Sequence, residues 1–285
     1  MPSNPRLPMT IAARLGRILH RPPVIPVVRL SGVISSGGAI RTSLSLESVS
    51  KPLARAFAVK SAPAVAILIN SPGGSPVQSH LIYQRIRTLS ADKKKPVFAF
   101  IEDVGASGGY MIALAGDEII ADPSSIVGSI GVISASFGFV GLLEKLGIER
   151  RVYTAGEKKM MLDPFQPERE RDIEHLKTLQ SEIHTAFVAL VQARRPGLAD
   201  DPDLFTGAFW TGAKAKKLGL VDHLGDFRTF LRQRYGRKLR FQVLGERRGL
   251  LMRWAGGANT RLRPELVDAM IDRLEEQAHW KRFGL

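Results

Sequence analysis

Ser107 stands in the run Gly105-Ala106-Ser107-Gly108-Gly109-Tyr110, directly after an apolar stretch, Pro96 to Ile101, that reads as a strand. A serine at such a strand-to-helix turn exposes its hydroxyl. The N–H of Gly108 is then free to face a developing negative charge. Alone, the run also describes an ordinary Gly-Ser-Gly turn. A second run, Asn70-Ser71-Pro72-Gly73-Gly74, closes the apolar stretch Val65 to Ile69. In a parallel sheet both strand ends point to one edge, where ligands collect. Gly73 and Gly74 let the backbone approach a ligand, and either can present an N–H opposite that of Gly108, which would make an oxyanion hole. The plainer reading of the same residues is a turn and cap for the helix that starts at Pro76.

A serine nucleophile needs a base, most often a histidine oriented by a carboxylate. The six histidines are His20, His80, His175, His184, His223 and His279, and none lies in a glycine-rich or strand-end setting. They read as surface or packing residues. A lysine base is the alternative, provided burial and apolar neighbours bring its pKa down from about 10.4. Lys159 precedes Met160-Met161-Leu162 and follows Gly156, so it enters an apolar run. Without the other motifs it reads equally as a surface lysine in a loop.

The elements that must position these residues alternate. Strands are expected at Val24–Leu30, Val65–Ile69, Pro96–Ile101, Glu118–Ala121, Glu149–Thr154 and Leu239–Leu244. Helices are expected at Leu46–Lys60, Pro76–Leu89, after Ser107, and at Phe139–Leu146, Pro167–Arg194, Thr211–Leu218, Phe227–Tyr235 and Pro264–Trp280. The near-continuous apolar strands suit a parallel sheet covered on both faces, and the alternation implies an α/β layer structure. Three parts follow: a basic segment at 1–23, a body at 24–244, and a basic linker with a C-terminal helix at 245–285.

Composition narrows the chemistry. The 285 residues are 44% hydrophobic and 24% charged, an ordinary globular balance, and there is no cysteine. Disulfides, thiolate zinc sites and cysteine nucleophiles are therefore excluded. No apolar run approaches the roughly 20 residues of a membrane span, so a cytoplasmic chain is expected. The net charge of +14 is local. No acid precedes Glu47, and between Arg228 and Arg263 only Glu246 offsets eleven cations. Such runs attract anionic lipid or nucleic acid. With aromatics at 7% and not interleaved with the cations, a nucleic-acid groove is the weaker reading. Peripheral contact with the inner face of a membrane is the stronger, beside a plain solvated surface.

Four runs carry a family resemblance. These are Asn70-Ser71-Pro72-Gly73-Gly74, Gly105-Ala106-Ser107-Gly108-Gly109-Tyr110, Gly128-Ser129-Ile130-Gly131-Val132-Ile133 and Leu218-Gly219-Leu220-Val221-Asp222. Their order and spacing resemble those of the signal peptide peptidase A (protease IV) family. The likeness spans about Val24 to Leu244 and includes the interval from Ser107 to Lys159. It implies a ClpP/crotonase-like β-β-α superhelix with a C-terminal helical extension. It implies a serine endopeptidase with Ser107 as nucleophile, Lys159 as general base and acid, and Gly108 with Gly73 or Gly74 as oxyanion donors. Ser129 would orient the lysine. Lys158, one register away, is the alternative base. The family further implies no metal or cofactor, apolar peptide substrates such as cleaved signal peptides or membrane-protein fragments, and a ring-like homo-oligomer whose subunits share the dyad. A crotonase-like acyl-CoA enzyme and a catalytically silent ring scaffold at the membrane are the alternatives from other classes.

Overall fold

The computed structural model describes residues 22–36, 43–245 and 277–284. Residues 1–21 of the expected basic segment at 1–23 and most of the expected helix at Pro264–Trp280 lie outside the described residues. Eight strands form one sheet: β1 (Val24–Ser31), β2 (Val65–Ser71), β3 (Val97–Ala106), β4 (Glu118–Ala121), β5 (Ile126–Gly128), β6 (Phe209–Thr211), β7 (His223–Leu224) and β8 (Arg240–Leu244). The main path runs β6-β5-β3-β2-β1-β8, with β4 on β3 and β7 on β4. All pairings are parallel except β5 with β6.

The helices are α1 (Leu46–Ala58), α2 (Pro76–Lys93), α3 (Gly108–Ala113), α4 (Val140–Lys145), α5 (Glu170–Arg194), α6 (Gly212–Lys217) and α7 (Phe227–Tyr235). Local chemistry sets their ends. Ser45 caps α1, with reciprocal hydrogen bonds to Ser48. Ser75 caps α2 ahead of Pro76, whose missing N–H costs nothing in a first turn. Asp226 accepts from the N–H groups of Arg228 and Thr229 at the start of α7.

The sheet is apolar on both faces, as parallel sheets require. One face buries Leu53, Phe57, Ile67, Ile69, Ile82, Ile86 and Tyr110 among α1, α2 and α3. The other buries Ile25, Val27, Leu68, Phe98 and Phe100 against Leu231, Phe227 and Phe230 of α7. At about 1.5–3 kcal/mol per large apolar side chain, these two layers supply the driving force for folding.

Residues 131–169 behave differently. None of them is buried. The segment folds on itself instead. The Phe139 N–H donates to the Pro164 carbonyl at 2.7 Å, and the Phe139 and Phe165 rings stack at 5.3 Å. Arg150 pairs with Asp163 and lies over Phe165. The strand expected at Glu149–Thr154 does not form. Those residues are exposed, and no described strand offers its backbone groups as partners, without which an extended segment is not a strand. The short β6 and β7 were not foreseen, since three and two residues carry no readable alternation.

Candidate active site

The parallel strands β1, β2, β3 and β5 end at one edge, and the glycine-flanked serine stands there. Register explains its position. Ile69 pairs with Ile101, but Ser71 pairs with Gly105, so β3 takes four steps where β2 takes two. The extra residues bulge, and Asn70 holds them. Its Oδ1 accepts from the Val104 N–H at 3.2 Å and its Nδ2 donates to Asp103 at 2.6 Å. On the other side, the Ser125 hydroxyl donates to the Ile101 carbonyl at 3.2 Å. Asn70 thus positions the nucleophile turn, a role that the sequence run did not reveal.

Ser107 follows β3 at φ 51°, ψ −121° and caps α3. A non-glycine residue at positive φ is strained, and the surrounding bonds must hold it there. They do. The Ser107 N–H donates to the Gly128 carbonyl at 2.8 Å, and its own carbonyl accepts from Met111 at 2.9 Å. The side chain is half-buried, at the rim. The flanking glycines are there for close approach. A Cβ on Gly108 would stand 2.2 Å from the Ser79 hydroxyl, and one on Gly109 would stand 2.5 Å from the Ser71 carbonyl.

Gly73 lies against the serine: a Cβ there would be 2.8 Å from the Ser107 Cβ and 2.9 Å from the Gly108 nitrogen. The two glycines differ in one respect. The Gly73 N–H donates to the Ser71 hydroxyl at 3.2 Å, whereas no partner for the Gly74 N–H or the Gly108 N–H is found among the described residues. Ser129 is buried, at φ 53°, one step past the pair Ala106–Gly128 on the adjacent strand end. Its N–H donates to the Ala208 carbonyl at 2.6 Å. Ser107, Gly108, Gly73, Gly74 and Ser129 are therefore brought together.

Lys159 is not brought to them within the chain. It lies in the exposed segment with its N–H on the Gly156 carbonyl at 3.2 Å. No hydrogen bond joins it, or Lys158, to Ser107 among the described residues. Of the histidines, His184 is within 3.3 Å of the Ile130 carbonyl and His223 pairs with Glu118 at 3.1 Å, so both serve the framework. Among the described residues no cluster of His, Asp and Glu could hold a metal ion.

The fourth sequence run is structural. The carboxylate of Asp222 takes two hydrogen bonds from Arg195, at 2.8 and 2.9 Å, and one from the Ile119 N–H at 2.7 Å. Burial alone would raise its pKa, but the Arg195 bonds and the Ile119 N–H outweigh that and lower it. Tyr110, two residues into α3, donates to the Leu220 carbonyl at 2.9 Å. Burial pushes its phenol pKa well up, so it stays a neutral donor.

Known proteins resemble this chain over much of its length. The model of peptidase family S49 matches residues 90–235. A Brucella abortus protein named Na(+)/H(+) antiporter NhaA is 59% identical over 271 residues, which is 92% of this chain and 37% of that protein. At that coverage the alignment takes in most of the stretch that the peptidase model matches. The chloroplastic serine protease SPPA of Arabidopsis thaliana is 30% identical, over 70% of this chain and 29% of its own length. Protease 4 of Haemophilus influenzae is 30% identical, over 72% of this chain and 33% of its own. The chain thus spans about a third of the length of these relatives. Among solved structures, a mutant of the 1510-N membrane-bound stomatin-specific protease aligns with a TM-score of 0.48 at 17% identity. That alignment covers 79% of this chain and 99% of that one.

Proposed function

The chain belongs to peptidase family S49, and from that premise we propose that it is a serine endopeptidase working through Ser107 and Lys159. The observation that carries the reading is the strained turn at Ser107, which sets a half-buried hydroxyl beside a Gly108 N–H that has no partner among the described residues. In this reading the Ser107 Oγ attacks a peptide carbonyl while neutral Lys159 accepts its proton. The carbonyl oxygen, now negative, takes hydrogen bonds from Gly108 and from the glycine pair opposite. Gly74 is the better second donor, because Ser71 occupies the N–H of Gly73. The C–N bond breaks as Lys159 returns the proton to the leaving amine. Water then resolves the acyl-enzyme with the lysine again as base. Ser129 serves by orienting the lysine. No step calls for a metal or a cofactor.

The lysine reaches the serine of a neighbouring copy in a ring. Two features support this. Lys159 is exposed within its own chain, and the segment that carries it leaves Ile133, Phe137, Leu142, Leu146, Ile148 and Tyr153 open to solvent. Apolar side chains in such number on one segment mark an interface. Substrates are extended apolar peptides, such as signal-peptide or membrane-protein fragments. Among the described residues no helix is long and apolar enough to cross a membrane. The basic runs of the sequence would hold the ring to the inner face of an anionic bilayer, which cosedimentation with acidic and neutral vesicles tests.

The decisive experiment is a fluorogenic apolar peptide assay with phosphonate labelling of the serine. Ser107→Ala and Lys159→Ala each lose activity, Lys158→Ala keeps it, and Ser107→Ala loses the label. Mixing the two inactive variants restores part of the activity if the dyad spans two copies. Full activity in Ser107→Ala would end the proposal.

A further inference from the structure

The exposed segment 131–169 keeps one carboxylate out of water. The Asp163 side chain is 6% exposed, although no residue of the segment is buried as a whole. Two groups meet it. Arg150 pairs with it through Nη1, and the Phe165 N–H donates to its Oδ1 at 3.1 Å. The Arg150 bond, with help from the Phe165 N–H, holds the carboxyl below the ordinary carboxylate range. The arginine is fixed as well. It lies over the Phe165 ring, 5.0 Å from the ring centre, and Phe165 stacks on Phe139. A guanidinium held by both a ring and a carboxylate keeps little rotamer freedom. The neighbouring pair of Glu149 and Arg151 differs, since both of its side chains stand in solvent, where such a pair contributes little.

The built pair closes a loop at its base. The span from Arg150 to Asp163 contains Lys159, and the pair joins its two ends. Within the span the Lys159 N–H donates to the Gly156 carbonyl at 3.2 Å and the Met161 N–H to the Lys158 carbonyl at 3.3 Å, so the lysine stands in a run of turns. Leu162 ends that run at φ 56°. A leucine keeps this left-handed conformation only where its surroundings impose it. Asp163 is the next residue, and its bonds to Arg150 and to the Phe165 N–H supply that constraint.

We propose that Arg150 and Asp163 are positioning residues for Lys159. Their pair shapes the lysine turn within one chain, before a neighbouring copy meets it. This inference rests on the reading of Lys159 as the base and adds how that base is preset. Neither side chain touches the peptide or the reacting atoms. The pair spares the loop an ordering cost, so its loss lowers kcat and leaves KM unchanged.

Asp163→Asn keeps the shape and removes the charge, and Arg150→Gln removes the other partner. Each lowers kcat roughly tenfold, short of the factor of about 100 that a 1 Å misplacement costs. The double variant falls no further than Arg150→Gln alone, because one interaction is lost only once. Glu149→Gln, in the solvated pair beside them, keeps the wild-type kcat. Melting temperatures stay within about 2 °C of wild type, because the segment lies outside the core. Mixing separates a positioning role from a general structural one. Asp163→Asn regains activity with Ser107→Ala, whose copy brings an intact lysine loop, and regains none with Lys159→Ala. Hydrogen exchange needs no turnover: amides between Gly156 and Gln166 exchange faster in Asp163→Asn, and those of β2 and β3 do not. Additive losses in the double variant, unchanged kcat in the single ones, recovery with Lys159→Ala, or unaltered exchange overturns the proposal. Full activity in Lys159→Ala refutes the reading of the base instead. If Ser107→Ala and Lys159→Ala do not complement each other, the two-copy arrangement falls, and the double-variant comparison with hydrogen exchange decides the pair.

Discussion

Gly73 and Gly32 offer a matched pair of substitutions. Both have strongly positive φ, at 105° and 106°. Alanine at either position carries the left-handed penalty of an L residue, about 1–2 kcal/mol. Their surroundings differ. A Cβ on Gly32 meets nothing within 4 Å, while one on Gly73 would be 2.8 Å from the Ser107 Cβ, 2.9 Å from the Gly108 nitrogen and 3.0 Å from the Ala106 carbonyl. Two of those three atoms are backbone, so relief requires the nucleophile turn itself to move. Gly32→Ala is therefore expected to lower the melting temperature by roughly 2–4 °C per kcal/mol lost and to leave kcat/KM near wild type. Gly73→Ala should add a displacement of several tenths of an ångström at the hydroxyl and the Gly108 N–H. A misplacement of about 1 Å costs on the order of 100-fold in rate, so kcat/KM should fall at least tenfold below that of Gly32→Ala. Calorimetry and the fluorogenic assay on both variants decide it. Equal kcat/KM in the two would refute the argument that Gly73 forms the wall opposite the serine.

Two further outcomes follow from the same geometry. Asp222→Asn removes a carboxylate bound by Arg195 and should cost about 1.5–3 kcal/mol at neutral pH. Because the folded pKa of Asp222 lies below its ordinary 3.8, its stabilisation is full above that value and is lost as pH falls through the folded pKa. Urea midpoints from pH 7 to pH 2 should therefore fall less steeply for the variant than for wild type, and parallel curves would refute the assignment. Phe137→Asp and Tyr153→Asp, at side chains 76% and 91% exposed, should leave the stability of the isolated chain within about 0.5 kcal/mol of wild type. They should also shift the particle to smaller species in sedimentation and abolish activity with it. Unchanged sedimentation would remove the segment from the interface.

Much of the body was legible because its strands are buried on both faces. Val65–Ile69 and Pro96–Ile101 read as apolar runs, and both are strands, though each extends beyond the run to a polar or glycine end. Helix starts were legible at Leu46 and Pro76, where serine precedes the first turn. The helix at Phe139–Leu146 forms as Val140–Lys145, followed by Gly147 at φ 64°. What escaped notice depends on contacts distant in sequence. The bulge in β3 and the part Asn70 plays in it need β2 and β3 side by side. The choice between Gly73 and Gly74 as donor rests on which N–H the Ser71 hydroxyl takes, which only the folded turn decides. The β-branched and aromatic Val152-Tyr153-Thr154 suited a strand at Glu149–Thr154, but residue type specifies no partner, and here none is supplied by the described chain. The base was legible as a residue type and an interval only. In the proposed reading its meeting with Ser107 needs more than one copy, which no periodicity within a chain encodes.

The long helix α5 connects these separate parts mechanically. Its 25 residues span about 37 Å at 1.5 Å per residue. It begins directly after the exposed segment that bears Lys159 and ends at the helix that Ser107 caps. There Arg194 donates to the Leu114 and Gly116 carbonyls at 2.9 and 2.8 Å, bonding the C-cap residue of α3 and the turn that follows it. Arg195, the next residue, holds Asp222, and the chain two residues before Asp222 receives the Tyr110 hydroxyl. Adjacent arginines thus fix the far end of α3 from two sides, while Phe187 and Val191 bury the last turns of α5 in the core. Before Phe187, α5 buries only Asp172 and leaves Leu179 and Ile183 exposed. The serine end is therefore held by several hydrogen bonds, and in the proposed reading the lysine end would be positioned when its apolar side chains meet a neighbouring copy. Under the proposed reading, a dyad divided in this way would keep an isolated chain inert, because the Ser107 hydroxyl would have no base until a neighbour supplied one.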